Sequence, residues 1–135
     1  MVASRTAKEL GSHAETQGIR IRVTPRYLAE HSAPGDGQWV FAYRVHITNE
    51  GSTAARVIAR KWIIRDAEGE EEIVEGPGIV GLSPRIEPGR SHDYESFCPL
   101  TTPWGTMQGH YVMRRDDGTE FLATIARFFL AVEEA

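Results

Sequence analysis

The sequence predicts an all-β sandwich of about seven antiparallel strands. Short segments that alternate between apolar and polar residues recur along the chain, and Gly, Pro, Asn and Asp turns separate them at intervals of roughly ten residues. No amphipathic helical pattern and no repeat of fixed length interrupts these segments. The chain has 135 residues, which is the size of one domain. These observations favour a two-sheet sandwich over an α/β fold, a propeller or a solenoid.

The first half of the chain contains the clearest strand signals. Residues 1–12 are small and polar without periodicity, which predicts a flexible tail before a single domain over residues 13–135. Ile19–Tyr27 alternates apolar residues with arginine and threonine, and residues 39–48 have an aromatic or β-branched side chain at every odd position. We therefore expect the odd-numbered residues of these two strands to share one buried core.

The second half continues the same pattern with a central strand, a short acidic strand and a C-terminal hairpin. Residues 55–66 are partly apolar on both faces, which is typical of a strand inside a sheet and predicts a buried Trp62. The remaining predicted strands are residues 70–74, 91–97, 106–115 and 120–132. The last two are joined by an Asp-Asp-Gly turn, which indicates a hairpin.

Residues 76–84, Gly-Pro-Gly-Ile-Val-Gly-Leu-Ser-Pro, form a segment that we call the glycine loop. Gly76, Gly78 and Gly81 match the letters of a dinucleotide-binding fingerprint, but that motif needs a following helix to present its N–H groups to a pyrophosphate. Pro84 and the turn residues after it exclude such a helix. The favoured interpretation is a tight loop in which the glycines permit positive φ. The alternative is a ligand site in which these three glycines bind an anion.

Two charged groups have both a functional and an ordinary interpretation. Arginines on one strand face could bind anions or could simply keep the sheet soluble. They are Arg20, Arg22 and Arg26, with Arg44, Arg56 and Arg60 on neighbouring strands as a possible extension. Carboxylates on one hairpin could hold a hard divalent cation, but a solvated edge that resists pairing is favoured. They are Glu68, Glu70, Glu71, Glu72 and Glu75.

The side chains predict no catalytic residue, no metal site and no cofactor. The five histidines lack the spacing of a zinc site, and the lone Cys98 ahead of a proline is more simply a small hydrophobic residue than half of a nucleophile pair with His92. We also expect no tightly bound transition metal in the purified protein. The net charge of −4 disfavours nucleic acid and membrane surfaces as partners. One cysteine and a start without an apolar core favour the cytoplasm.

Several segments together resemble the ApaG family. They are the glycine loop, Ile-Glu-Pro-Gly at residues 86–89, Cys-Pro-Leu-Thr-Thr-Pro-Trp-Gly-Thr-Met-Gln-Gly at 98–109, and Ile-Ala-Arg-Phe-Phe-Leu at 125–130. Phe-Ala-Tyr-Arg-Val at 41–45 and Lys-Trp at 61–62 fit the same pattern, so the resemblance covers nearly the whole chain from about Gly18. Pro77 departs from the polar or acidic residue that the family often has there, and it removes one N–H from the loop.

The resemblance implies a fibronectin type III-like or immunoglobulin-like sandwich without an established catalytic residue. It further implies a link to cobalt resistance and magnesium efflux, and it leads us to expect a non-enzymatic module that contacts an unidentified protein partner. The alternative hypothesis is a binder of phosphate-containing small molecules, such as pyrophosphate or a dinucleotide polyphosphate. In that case the glycine loop and nearby arginines would hold the ligand.

Overall fold

The computed structural model describes residues 10–132, which form an all-β domain of nine strands. Two short 3₁₀ turns, Ala29–His31 and Pro34–Asp36, lie between the second and third strands. The strands are β1 (Ser12–Thr16), β2 (Ile19–Tyr27), β3 (Trp39–Asn49), β4 (Ala55–Asp66), β5 (Glu71–Pro77), β6 (Arg85–Ile86), β7 (Ser91–Leu100), β8 (Trp104–Arg115) and β9 (Glu120–Ala131).

The strands form two antiparallel sheets that pack face to face. The first sheet has the order β1-β2-β3-β7, and the second has the order β5-β4-β8-β9 with β6 also paired to β4. On one side of the sandwich β9 lies against β1 and β2. On the other side the edge strands β5 and β7 line a cleft, so the sandwich is open there.

The core between the sheets confirms the alternation predicted for β2 and β3. Ile19, Ile21 and Val23 of β2 are buried, and so are Phe41, Tyr43, Val45 and Ile47 of β3. Trp39 at the start of β3 is half-buried and packs against this core. The predicted burial of Trp62 is also confirmed, and its ring contacts those of Tyr43, Tyr111 and Phe128.

Two strands were not predicted from the sequence, and both are short. β1 pairs with β2, and β6 has only two residues beside β4. Residues 1–9 of the predicted tail lie outside the described residues. Its last three residues are not loosely held, because Leu10 is buried and Ser12 begins β1. A five-residue strand without a strong apolar alternation is recognisable only from its pairing partner.

Two β-bulges change which residues face the core. In β4 the extra residue is Ile58, so Val57 points inward before the bulge and Trp62 points inward after it. In β9 the register with β8 shifts between Ile125 and Phe128, which places Phe128 in the core and turns Phe129 outward. Each bulge inserts one residue and thereby reverses the inward and outward positions beyond it.

Candidate functional site

The open side of the sandwich holds a cleft of about 500 Å³, which we call the β5–β7 cleft. Its floor contains Trp62, Ile64 and Met107 of the second sheet. Cys98 of β7 and Glu72 of β5 lie on its two walls. β5 and β7 each pair with one strand only, so each has a free backbone edge beside the cleft. An apolar floor between two free edges suits an extended segment or a small ligand.

Large apolar side chains are exposed on both edge strands. The exposed fraction is 60% for Phe97 of β7 and 53% for Ile73 of β5. In the glycine loop, Val80 and Leu82 are also exposed. Of these four residues, Phe97 lines the β5–β7 cleft, and an exposed apolar side chain beside an opening is typical of an interaction surface.

The glycine loop makes a tight hairpin turn after β5. Ile79 and Leu82 exchange two main-chain hydrogen bonds of 2.8 Å each, and the residues between them, Val80 and Gly81, both have positive φ. This geometry is that of a type I′ turn. Val80, with φ of +46°, is a β-branched residue in the left-handed region, which is strained backbone. The expectation that at least one loop glycine has positive φ is confirmed for Gly78 and Gly81.

Gly76 differs from the other two glycines. It lies inside β5, opposite Arg60, instead of in the turn. A Cβ at this position would lie 3.0 Å from both terminal nitrogens of Arg60, so Gly76 leaves room for that guanidinium. The three glycines therefore do not form one cradle.

The main-chain groups of the loop are largely engaged within the protein. The Gly78 N–H donates to the Ile58 carbonyl, and the carbonyl of Pro84 accepts from the Val57 N–H. Arginine side chains donate to other loop carbonyls: Arg56 to Ser83 at 2.7 Å, and Arg60 to Pro77 at 2.9 Å. These bonds place the loop over the bulge in β4.

Alanine replacements at Gly78 and Gly81 are expected to destabilise the protein to different degrees. At Gly81 the added Cβ meets open space, so only the φ of +78° is unfavourable, and we expect a loss of about 1 kcal/mol. At Gly78 the Cβ would also lie 2.2 Å from the Leu82 carbonyl oxygen, and we expect a loss of about 2 kcal/mol or more. Urea denaturation of both variants measures the difference, and equal losses would contradict this account.

The predicted arginine stripe is divided between the two sheets. Arg20, Arg22, Arg26 and Arg44 lie on the outer face of the first sheet. Arg20 pairs with Glu50 at 3.3 Å. The extension to Arg56 and Arg60 is wrong, because both belong to β4 of the second sheet and contact the glycine loop.

The acidic hairpin and the histidines show no arrangement for a metal. Glu71 pairs with Arg65 at 2.6 Å, and His46 forms a hydrogen bond with Asp93 on the outer face of the first sheet. Within residues 10–132, no three His, Cys, Asp or Glu side chains lie close enough together to hold a metal ion. The absence of a tightly bound metal from the purified protein stays a prediction.

Cys98 and His92 lie on the same strand but far apart. They are six residue steps apart along β7, or roughly 20 Å of extended chain, so they cannot act together. Burial, with a smaller contribution from the nearby Glu72 carboxylate, raises the pKa of the Cys98 thiol to about 12. A buried thiol with this pKa is a poor nucleophile.

We expect Cys98 to react very slowly with iodoacetamide in the folded protein at pH 8. With a pKa of about 12, only about one thiol in 10⁴ is ionised at that pH, and the side chain is also shielded. In urea the alkylation rate of Cys98 at pH 8 should be higher by orders of magnitude. The rate for the unfolded protein should level off above about pH 9, whereas the rate for the folded protein should keep increasing with pH there. Alkylation followed by mass spectrometry gives both profiles. Rapid labelling of the folded protein at pH 8 would refute the assignment.

The sequence did not predict that Tyr94, Tyr111 and Arg60 lie together between the sheets. The hydroxyl groups of Tyr94 and Tyr111 form a hydrogen bond between the sheets, and Arg60 lies close to both. Burial raises the pKa values of both tyrosines, and the Arg60 charge partly opposes the rise. Arg60 faces inward because of the bulge at Ile58. A strand pattern read without that bulge could not predict the inward position of Arg60.

No helix in the described part of the chain is long and apolar enough to cross a membrane. The fold and the open side define the class of the protein, a small antiparallel β-sandwich domain with two adjacent free edges. More particularly, the chain belongs to the ApaG family: the ApaG domain profile matches residues 29–115.

Related proteins and solved structures support this membership. The chain is 50% identical to Protein ApaG of Stenotrophomonas maltophilia (strain K279a), over 88% of this chain and 94% of that protein. It is 49% identical to Protein ApaG of Anaeromyxobacter dehalogenans (strain 2CP-1), over 90% and 95% of the two chains.

A crystal structure of a putative ApaA protein from Bordetella pertussis superposes with a TM-score of 0.84 at 47% identity, covering 87% of this chain and 95% of that one. The C-terminal domain of wzt, at 10% identity and a TM-score of 0.55, shares the fold alone.

Proposed function

We propose that this protein is a non-enzymatic, cytoplasmic interaction module that binds an extended segment of a partner protein along the β5–β7 cleft. The observation that carries the proposal is the pair of neighbouring free edges on either side of an apolar cleft floor, with the exposed Phe97 of β7 lining the cleft. An extended segment can pair its backbone with a free edge while its side chains fill the cleft. The separation of His92 from Cys98 and the high pKa of the thiol support a non-catalytic role.

The charges along the cleft restrict the partner segment. Asp66, Glu70 and Glu72 line one end of the cleft, whereas its middle is formed by apolar residues such as Trp62 and Val74. A segment with a basic residue followed by apolar ones complements this order. The like charges on β5 disfavour edge pairing there, which makes the free edge of β7 the better site for backbone pairing.

Photo-crosslinking in cells tests the proposed surface. A photoreactive phenylalanine analogue at Phe97 is expected to capture a defined protein partner. The matched control is Leu122 on β9, which is 54% exposed but lies away from the cleft, and it should capture none. With the purified partner, Phe97→Asp should raise the Kd at least about tenfold and Leu122→Asp less than about twofold. Equal effects at the two positions would disprove the assignment of the surface.

By the family resemblance, we place this interaction in divalent-cation homeostasis, with a role in cobalt resistance and magnesium efflux. A strain that lacks the gene is expected to grow poorly in cobalt. The wild-type gene should restore growth, and the Phe97→Asp gene should not. Unchanged cobalt tolerance in the deletion strain would contradict this role.

The alternative function is binding of phosphate-containing ligands by Gly76, Gly78 and Gly81 with the nearby arginines. The reach of Arg56 and Arg60 to the loop favours it, but both donate to carbonyl groups, and the Gly78 N–H is already bonded. We therefore expect millimolar pyrophosphate to leave the melting temperature unchanged, because a ligand that bound the folded state would raise it. A saturable rise that Arg56→Gln abolishes would favour the alternative.

A further inference from the structure

Arg60 places an unpaired positive charge at one end of the β5–β7 cleft. Its side chain is half-buried between the sheets, and its Nη1 donates to the carbonyls of Pro77 at 2.9 Å and Gly78 at 3.2 Å. Arg60 forms no ion pair with any residue of the described range 10–132. A partly desolvated charge is costly without a counter-charge, so this position favours a bound anion.

A small cavity of about 170 Å³ lies beside the Arg60 guanidinium. Hydroxyl groups of Tyr43, Tyr94 and Ser96 line it and can donate to an oxygen atom. Tyr43 and Ser96 also line the β5–β7 cleft, so the cavity continues the cleft. Ile79 and Val80 of the glycine loop also line it.

The donor set suits a carboxylate better than a phosphate. One guanidinium balances the single negative charge of a carboxylate and can bind both of its oxygens. A phosphate group carries nearly two charges, and no second cationic side chain lines the cavity among the described residues. The carboxylates Glu70, Glu71 and Glu72 along the adjoining cleft further disfavour a multiply charged ligand.

We propose that Arg60, with the hydroxyl groups of Tyr43, Tyr94 and Ser96, binds the C-terminal carboxylate of the partner's extended segment. We assign this carboxylate to the chain terminus because the cavity lies where the cleft meets Ile79 and Val80 of the glycine loop, and the comparison of acids with amides tests that assignment. Five residue steps separate Glu71 from Gly76 along β5, or roughly 17 Å, so the last five or six residues of the partner fill the cleft. This inference rests on the proposed function and adds the kind of segment that the cleft selects.

Two peptide arrays test the inference on the whole protein. Both carry the C-terminal heptapeptides of the source organism's proteins, one as free acids and the other as C-terminal amides. The labelled protein is expected to bind a subset of the acids, and fluorescence polarisation should show at least about tenfold weaker binding of the matching amides. Acetate should compete with the acids better than pyrophosphate does.

Two variants assign the effect to Arg60. Arg60→Gln is expected to bind acid and amide equally. The control Arg56→Gln, which also loses a hydrogen bond to the glycine loop, should keep the preference for the acid. Circular dichroism confirms that both variants are folded.

Three outcomes would overturn the inference: equal binding of acid and amide by the wild type, a retained preference in Arg60→Gln, or stronger competition by pyrophosphate. An absence of binding on both arrays would overturn it as well. The proposed function would survive any of these results if Phe97 still crosslinks a partner and Leu122 does not, so the two failures are distinguishable.

Discussion

Replacing Gly109 by alanine is expected to lower the free energy of unfolding by about 3 kcal/mol or more. Gly109 lies in β8 opposite Trp62, and its backbone approaches β4 so closely that a Cβ would lie 1.9 Å from the Lys61 carbonyl oxygen and 3.2 Å from the Trp62 Cα. Both obstacles are main-chain atoms of a central strand, so the clash can be relieved only by separating β4 from β8. Few single substitutions outside a core cavity have so large an effect.

Guanidinium denaturation followed by circular dichroism measures this loss. Gly35→Ala is the control, because a Cβ there has no atom within 4 Å and Gly35 does not have positive φ. It should change stability by less than about 0.5 kcal/mol. A Gly109→Ala protein as stable as the wild type would mean that the two strands are not this close.

Replacing Trp62 by alanine is expected to lower the free energy of unfolding by about 3–5 kcal/mol. The indole ring is 3% exposed and makes edge contacts with Tyr111 and Phe128 at centroid distances of 6.3 and 5.9 Å. Its removal leaves a cavity between the sheets that these rings cannot fill without leaving their rotamers.

Trp104→Ala is the matched control, because Trp104 is 46% exposed on the same sheet. We expect that change to cost less than about 1 kcal/mol. Trp62 also forms part of the cleft floor, so Trp62→Phe should weaken partner binding while retaining most of the stability. A similar loss of stability for Trp62→Ala and Trp104→Ala would show that the core is not centred on Trp62.

Sequence patterns predicted the strands well where burial alone determines the residues. In β2 and β3 one face is buried along its length, so apolar residues must alternate and the register follows. In β4 and β9 the same reasoning fails at the bulges. Phe129 belongs to the apolar series of β9, yet it points outward because the inserted residue reverses the faces.

The candidate site was less predictable than the fold. The glycines indicated a turn with positive φ, and Gly78 and Gly81 have it, but Val80 shares that geometry without any glycine to signal it. Gly76 appeared to belong to the same loop. Its role is instead to leave space for the side chain of Arg60, which lies opposite it on the paired strand β4. This role depends on a residue sixteen positions away in the chain, so no local sequence pattern could predict it.

By itself the sequence determined the all-β class, the inward faces of β2 and β3, the turns and the resemblance to the ApaG family, because each depends on short-range periodicity, glycine and proline geometry, or matching motifs. Only the tertiary structure decided that β5 and β7 leave one side of the sandwich open, and that the bulge at Ile58 turns Arg60 into that opening while Arg56 stays outside. The physical reason is that edges, clefts and bulges arise from the pairing of strands far apart in the chain. That pairing depends on the packing of the whole core.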